Sequence, residues 1–427
     1  MNAKLQVALD MPQGSRALQI AEEAVHGGAD WIEAGTPLIK SEGIGIVRQL
    51  KQRCPGKTIV ADLKTMDVGA LEADMAAKMG ADVVVVMGVA GDSTIGEAVR
   101  AATKSGAKVM VDMMAVSNPL QRAVELAPLG ISYICLHVGV DQQMHGEMAD
   151  PSEWLRDSPV GVAVAGGINS ESAGKLVAAG AEIIIVGGAI TKSPDVAVAV
   201  RTIKRAMETS SPVESPLFRR YSEEKLAEAF SKVSTANICD AQHRQGAMRG
   251  IVQRSGKERR MIGRAVTVQT AAGDWAKPVE AIDIAKPGDV IVVDAGGGER
   301  AVWGELASRS AIRNNIAGLV VDGAIRDLEE IRESGFPCYS RFVSPEAGEP
   351  MGFGGIGPKI MCGGVTVRNG DWIIGDSDGV VVVPVERAAE IANRALDVLE
   401  RENRLREEIA RGSTLSKVQD LKKWEKA

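Results

Sequence analysis

The run Ala61–Asp67, ADLKTMD, sets Asp62, Lys64 and Asp67 close together behind an apolar segment, Thr58-Ile59-Val60-Ala61. In an extended strand alternate residues share a face, so Asp62 and Lys64 point the same way where the strand ends, with Asp67 in the turn beyond. Charged groups are seldom buried unless paired or bound to something charged. A salt bridge closing a strand end is one reading; a site for a polar ligand is the other. Other apolar runs carry similar groups near their ends: Asp10, Glu33, Asp112 and His137, and the glycine pairs Gly166-Gly167 and Gly187-Gly188. Carboxylates, a lysine and a histidine converging on one rim are costly without a ligand. His137 is the natural proton carrier of this set, since its unperturbed pKa lies near neutrality, although a satisfied core histidine is the plainer reading. The glycine pairs suit a phosphate bound by bare backbone N–H groups, and a tight turn explains them as well.

The elements that must position these groups are legible. Short β-rich runs recur at Leu5–Asp10, Asp30–Gly35, Thr58–Lys64, Asp82–Gly88, Lys108–Met114, Tyr133–Gly139, Val160–Gly167 and Glu182–Gly188. Their starts fall about 25 residues apart, and the gaps hold stretches of helical periodicity such as Ser15–His26 and Val68–Met79. Gly28-Ala29-Asp30, Gly80-Ala81-Asp82, Gly106-Ala107-Lys108 and Gly180-Ala181-Glu182 place a glycine where a helix ends before the next strand. Nearly continuous apolar strands alternating with helices predict an α/β fold, a closed (β/α)8 TIM barrel, with a doubly wound open sheet as the alternative. A barrel gathers its chemistry at the C-terminal ends of its strands, where these residues fall, and holds phosphate after the last two strands.

Composition sets bounds. A chain of 427 residues is long enough for two domains. Apolar content of 45% and charged content of 25% are those of a globular protein. A net charge of −6 without a basic block argues against a nucleic-acid surface, and 3% aromatic residues argue against base-stacking platforms. No leader pattern is read at the start, and no apolar run approaches the roughly 20 residues that span a bilayer. Cys54, Cys135, Cys239, Cys338 and Cys362 are scattered without CxxC spacing, which predicts reduced thiols in a cytoplasm.

The first half resembles 3-hexulose-6-phosphate synthase, in the superfamily of orotidine-5′-monophosphate decarboxylase and 3-keto-L-gulonate-6-phosphate decarboxylase. The resemblance covers about residues 4–207. It rests on Leu5–Asp10, on EAGTPLIK at Glu33–Lys40, on ADLKTMD, on Leu136-His137-Val138-Gly139, on AGGI at Ala165–Ile168 and on VGGAIT at Val186–Thr191. The keto-gulonate decarboxylases carry an arginine where Gly188 stands, which favours the synthase. The resemblance implies reversible condensation of formaldehyde with ribulose 5-phosphate through an enediolate. It implies Mg²⁺ (or Mn²⁺) on Glu33 and Asp62, Lys64 as a fixed positive charge, and His137 as proton carrier. Asp10, Asp112, Gly166, Gly167, Gly187 and Gly188 would bind the sugar phosphate. Asp67 would reach the neighbouring subunit's site, which implies a dimer.

Glu208–Pro216, ETSSPVESP, reads as a linker, giving a barrel domain over residues 1–207, a linker over 208–221 and a second α/β domain over 222–427. The clearest later strands are Arg264–Thr270, Asp289–Asp294, Ile316–Val321 and Gly379–Pro384, without the spacing of a second barrel. A charged helix over Glu386–Arg411 is expected to pack on this second domain through Ile391, Leu396, Leu399 and Leu405. Two loop-to-helix starts carry acids: Glu305 follows one strand, and Arg326-Asp327 with Glu330 follows the next. Such starts suit a cation and an anion together, while ordinary dipole-favouring acids are the plainer reading.

This half resembles the RraA-like family, which includes a regulator of ribonuclease activity and metal-dependent 4-hydroxy-4-methyl-2-oxoglutarate aldolases. The matching stretch is about residues 234–384, with WGELAS, GLVVDGAIRDLEEI and GDSDGVVVVP its strongest pieces. The acid-then-Arg-Asp-then-acid pattern of the aldolases is complete. The resemblance implies a 2-oxo acid gripped by Arg326, Mg²⁺ or Mn²⁺ on Asp327 with Glu305 and Glu330, backbone donors from Leu306 and Ala307, and trimeric assembly as a further expectation. Two alternatives stand beside this bifunctional reading: a second half that serves assembly or regulation, and a barrel that acts as a keto-gulonate decarboxylase.

Overall fold

A computed structural model describes residues 3–144, 157–215, 219–255 and 260–425. In the first half, strands β1 (Lys4–Leu9), β2 (Trp31–Ala34), β3 (Thr58–Thr65), β4 (Val83–Met87), β5 (Lys108–Asp112), β6 (Tyr133–His137), β7 (Gly161–Ala165) and β8 (Ile183–Val186) pair in chain order and close into a barrel. All pairs are parallel, and β8 returns to β1 through Leu5–Ile184 and Val7–Val186. The expected TIM barrel is present and the open sheet is not. Most strands end a residue or two before the sequence runs do, because Asp10, Gly88 and their counterparts have already entered the loops.

Period-two alternation sorts the strand side chains into two layers. Ala8, Val60, Met110, Cys135 and Ala163 fill the barrel interior. Leu5, Val7, Leu9, Ile59, Ala61 and Val84 pack in the outer layer with helix residues such as Ala17, Ile20 and Ala24. The helix Gly14–Gly27 stops at Gly28, whose φ of 102° lets the cap N–H reach the carbonyls of Ala24 and Val25. That left-handed conformation costs glycine no Cβ clash.

The second half holds β9 (Val252–Gln253), β10 (Met261–Gln269), β11 (Val290–Ala301), β12 (Gly318–Ile325), β13 (Cys338–Val343), β14 (Gly355–Ile356), β15 (Ile360–Cys362), β16 (Val365–Val367), β17 (Trp372–Asp376) and β18 (Gly379–Val383). The main sheet runs β18-β17-β10-β11-β12-β13-β9, with β10 to β13 parallel and β17, β18 and β9 antiparallel. It is a mixed α/β sheet and not a second barrel.

The chain forms two compact units, and their boundary corrects one expectation. Glu400–Ala427 belongs to the barrel's unit, together with Met1–Gln143 and Glu147–Arg219; Arg220–Leu399 belongs to the other. Ile391, Leu396 and Leu399 of the helix Ala388–Ala410 pack in the second unit as expected. Leu405, by contrast, lies in the barrel's unit, beside a buried Arg404 that bonds Glu23 of the helix Gly14–Gly27. Helical periodicity finds an apolar face but does not name its partner. The linker is also less free than its composition suggested, since Val213 exchanges backbone and side-chain bonds with Ser170. Among the described residues no helix is long and apolar enough to cross a membrane.

Candidate active site

The barrel site stands one register step above the apolar interior. Ala8, Val60, Met110 and Cys135 point inward. The next residues on the same faces are Asp10, Asp62, Asp112 and His137, at the C-terminal ends of β1, β3, β5 and β6. Continuing the apolar alternation by one polar step thus builds the cluster.

Its centre is a chain of contacts across three strands. Lys64 Nζ donates to Asp112 Oδ2 at 2.7 Å and stands 3.1 Å from Asp62 Oδ2. His137 Nδ1 lies 2.8 Å from the same Asp112 oxygen, and the Met114 N–H donates to the other at 2.9 Å. Asp112 is almost wholly buried. Burial alone would raise its pKa, but the His137 hydrogen bond and charge, with Lys64, hold the carboxyl down at about 2. For Lys64 desolvation works against the charged form, and Asp62 and Asp112 outweigh it, so the ammonium is held well above its ordinary value. Lys64 takes a φ of 47°, next to a register irregularity between Asp62 and Thr65 on β3. Such a backbone is uncommon for a residue with a Cβ and persists where the surroundings demand it.

A second group of carboxylates adjoins it. Glu33 is buried on β2, and Gln6 Nε2 donates to its Oε2 at 2.5 Å. Burial, then the charges of Asp62 and Asp10, push the Glu33 carboxyl well above the usual range. Asp10 is open to solvent at its mouth, yet the protein around it and the charge of Asp62 raise its pKa as well. Thr36 Oγ1 donates to Asp62 Oδ2 at 3.0 Å, while Asp62 Oδ1 is buried with no hydrogen-bond partner among the described residues. A buried carboxylate oxygen without a partner among the described residues, beside carboxyls that resist ionising, is a donor set that would suit a divalent cation. Glu33 and Asp62 are the donors on hand. Among the described residues no three His, Cys, Asp or Glu side chains form a metal cage.

The glycine pairs flank the same rim. A Cβ on Gly187 would lie 3.4 Å from Asp10 Oδ2. Gly166 has φ 105°, and a Cβ there would collide with the Val138 carbonyl at 2.4 Å, so only glycine fits. Asp67 is not part of the cluster. It is exposed, and its Oδ1 accepts the Val68 N–H at 2.7 Å. Sequence reasoning missed Lys192, whose charge acts on Asp10, as well as Thr36 and Gln6. The signal for Gln6 was there: it is the one polar residue in the apolar strand LQVAL.

In the second unit, Arg326, Asp327, Gly304, Leu306 and Ala307 line a cavity of about 340 Å³, with Trp275, Val279 and Trp303 as its apolar walls. Asp327, at φ 57°, accepts the Glu305 N–H on Oδ2 at 3.0 Å, and Arg326 Nε lies 3.6 Å from that oxygen. The expected three-acid metal set is not assembled. The Glu305 carboxylate pairs with Arg309 one turn along its helix, and Glu330 is exposed. Trp303 opens the WGELAS stretch already singled out in the sequence, whereas Trp275, absent from the sequence reading of this site, comes from a segment about 50 residues before the Arg-Asp pair.

Residues 3–203 match the orotidine 5′-phosphate decarboxylase/HUMPS family, and residues 235–382 match the RraA-like family, described as Aldolase/RraA. A 3-hexulose-6-phosphate synthase of Mycobacterium gastri is 39% identical over 210 residues, covering 48% of this chain and 99% of that protein. The 3-hexulose-6-phosphate synthase of Bacillus subtilis (strain 168) is 35% identical over 207 residues, 47% of this chain and 97% of that one. A solved structure of the RNA-processing inhibitor RraA from Thermus thermophilis is 28% identical, covers 35% of this chain and 92% of its own, and has a TM-score of 0.34. The chain belongs to the orotidine 5′-phosphate decarboxylase/HUMPS family, and its barrel is fused to an RraA-like domain.

Proposed function

We propose that the barrel is a 3-hexulose-6-phosphate synthase, joining formaldehyde reversibly to ribulose 5-phosphate. The observation that carries this reading is the Lys64–Asp112–His137 chain beside Asp62 and Glu33. With its Nδ1–H turned to the anionic Asp112, His137 presents Nε2 as the basic nitrogen. It takes the C1 proton of the ketose as the base, and the pair of electrons left on C1 forms the new bond to the formaldehyde carbon. The formaldehyde oxygen takes up a proton as the C–C bond forms. The Lys64 ammonium, kept charged by two carboxylates, faces the oxygens on which negative charge develops. A divalent ion, Mg²⁺ or Mn²⁺, on Glu33 and Asp62 would add Lewis-acid stabilisation of those oxygens. Asp10 and the Gly166–Gly167 and Gly187–Gly188 turns bind the sugar phosphate. Consumption of formaldehyde that depends on ribulose 5-phosphate tests this. Release of CO₂ from 3-keto-L-gulonate 6-phosphate would assign the barrel to the decarboxylase instead.

The barrel works as a cytoplasmic dimer in this reading. Asp67 and its exposed apolar neighbours Met66, Val68, Leu71 and Met75 form a face suited to a second copy. The second unit is a divalent-metal 2-oxo-acid aldolase or decarboxylase, supported by Arg326 and Asp327 converging on one cavity with Leu306 and Ala307. The pairing of Glu305 with Arg309 favours the other reading of this half, an assembly or regulatory module. Metal-dependent pyruvate release from oxaloacetate separates the two.

A further inference from the structure

The end of the chain reaches back to the rim of the barrel. Arg404 is almost wholly buried, with its side chain only 1% exposed. Its guanidinium donates to Glu408 at 2.9 Å, to both oxygens of Glu23 at 3.2 Å, and to the Ser193 and Pro194 carbonyls at 3.4 and 3.2 Å. Arg411 donates a further bond to the Pro194 carbonyl at 3.1 Å. Ser193 and Pro194 directly follow Lys192, the C-cap of the short helix Gly188–Thr191, whose N-cap Gly187 would set a Cβ 3.4 Å from Asp10 Oδ2. Lys423 donates to the Pro12 carbonyl at 3.0 Å and pairs with Glu42. Pro12 lies just past Asp10, and Glu42 in turn accepts the Gly14 N–H at 2.9 Å.

The bonds to the Ser193, Pro194 and Pro12 carbonyls fall on the loops after β8 and β1, which carry Gly187, Gly188, Lys192 and Asp10, while those to Glu23 and Glu42 anchor the same segment on the helices Gly14–Gly27 and Thr36–Glu42. The M. gastri relative is matched over 99% of its length by 210 residues of this chain, so a barrel of this family is built there without a counterpart of Glu400–Ala427. A buried arginine that satisfies backbone carbonyls fixes a loop more firmly than a surface ion pair does, because its desolvated charge leaves no cheap alternative geometry.

We infer that Glu400–Ala427 is a positioning clamp for the phosphate end of the barrel site, with Arg404 its central positioning residue acting through the Ser193–Pro194 turn on Lys192. The inference rests on the synthase reading of the barrel. The clamp does not touch the Lys64–Asp112–His137 chain, so loosening it weakens the grip on the substrate phosphate and leaves the proton-transfer step intact.

The test uses the full chain with Arg404→Gln, Arg404→Lys, Arg411→Ala and Lys423→Ala. Steady-state KM for ribulose 5-phosphate and kcat are measured, along with the dissociation constant of inorganic phosphate by calorimetry. Losing charged hydrogen bonds to the turn should raise both KM and the phosphate constant about tenfold for Arg404→Gln and about threefold for Arg411→Ala, with kcat within twofold. Arg404→Lys should recover part of the loss. Arg411 and Lys423 are partly exposed, so those variants keep the test open if Arg404→Gln fails to fold. Folded variants with lower thermal midpoints but unchanged KM and phosphate affinity overturn the clamp. A wild type that binds phosphate but does not condense the two substrates overturns the synthase reading and leaves the clamp to be judged on phosphate affinity. A wild type that binds no phosphate overturns both.

Discussion

Lys64 on β3 and Asp112 on β5 meet at 2.7 Å across the barrel mouth, and the Asp112 oxygen they share also holds His137. One carboxylate thus fixes both the cation and the imidazole. Asp112→Asn should leave the fold intact, release Lys64 from one partner and reverse the hydrogen-bond preference of His137 Nδ1. Loss of orientation at both groups predicts a fall in kcat of about a hundredfold or more, with a smaller change in KM. Equal kcat in wild type and variant would remove Asp112 from the account.

The same residue gives a pH prediction. Its folded pKa of about 2 lies below the ordinary aspartate value of 3.8. Its contribution is therefore full above the unfolded pKa and is lost as pH falls through the folded one. The difference in unfolding free energy between wild type and Asp112→Asn should be constant above about pH 5 and change by about 2 kcal/mol, against the wild type, as pH falls from about 4 to 2. Denaturant melts across that range check it, and a difference independent of pH would contradict the ion-pair description.

Asp62→Ala should abolish barrel activity in a folded protein. Asp62 Oδ1 is a buried oxygen with no partner among the described residues, and Oδ2 bonds Thr36 and contacts Lys64. Retention of more than about a tenth of wild-type turnover would contradict the proposed role of Asp62 as a metal and substrate ligand. Chelation of divalent ions should lower wild-type turnover to a similar degree.

Arg326→Lys keeps the charge at the second cavity and loses the planar two-point grip on a carboxylate. It should raise KM and lower turnover for pyruvate release from oxaloacetate, leaving the barrel reaction unchanged. Asp327→Asn should remove activity and metal dependence together. If both act only as surface charges, each change shifts stability by less than about 0.5 kcal/mol and alters no rate.

The barrel was legible because parallel strands covered on both sides read as near-continuous apolar runs, and the site was legible because Asp62, Asp112 and His137 extend the inward register of those runs. Other parts depend on choices the sequence leaves open. The Glu305 side chain turns to Arg309 at helical i,i+4 spacing, a local pairing that competes with the expected metal role. Lys192 caps the four-residue helix Gly188–Thr191, an element too short to announce itself as helical periodicity in the sequence. The affiliation of Leu405 and Arg404 with the barrel is a tertiary choice that no local pattern encodes. That choice also bears on separability. A chain ending at Thr209 would leave Glu23 and the Ser193–Pro194 turn without Arg404, so it should melt lower than the full chain while keeping measurable synthase activity.

The central claim is the reaction of the barrel. Purified full-length protein, supplied with ribulose 5-phosphate, formaldehyde and Mg²⁺, should consume formaldehyde in proportion to ribulose 5-phosphate added and form arabino-3-hexulose 6-phosphate. His137→Ala should abolish that turnover. Formaldehyde left unconsumed by a folded wild-type protein, or consumed at an equal rate without the sugar phosphate, would contradict the account.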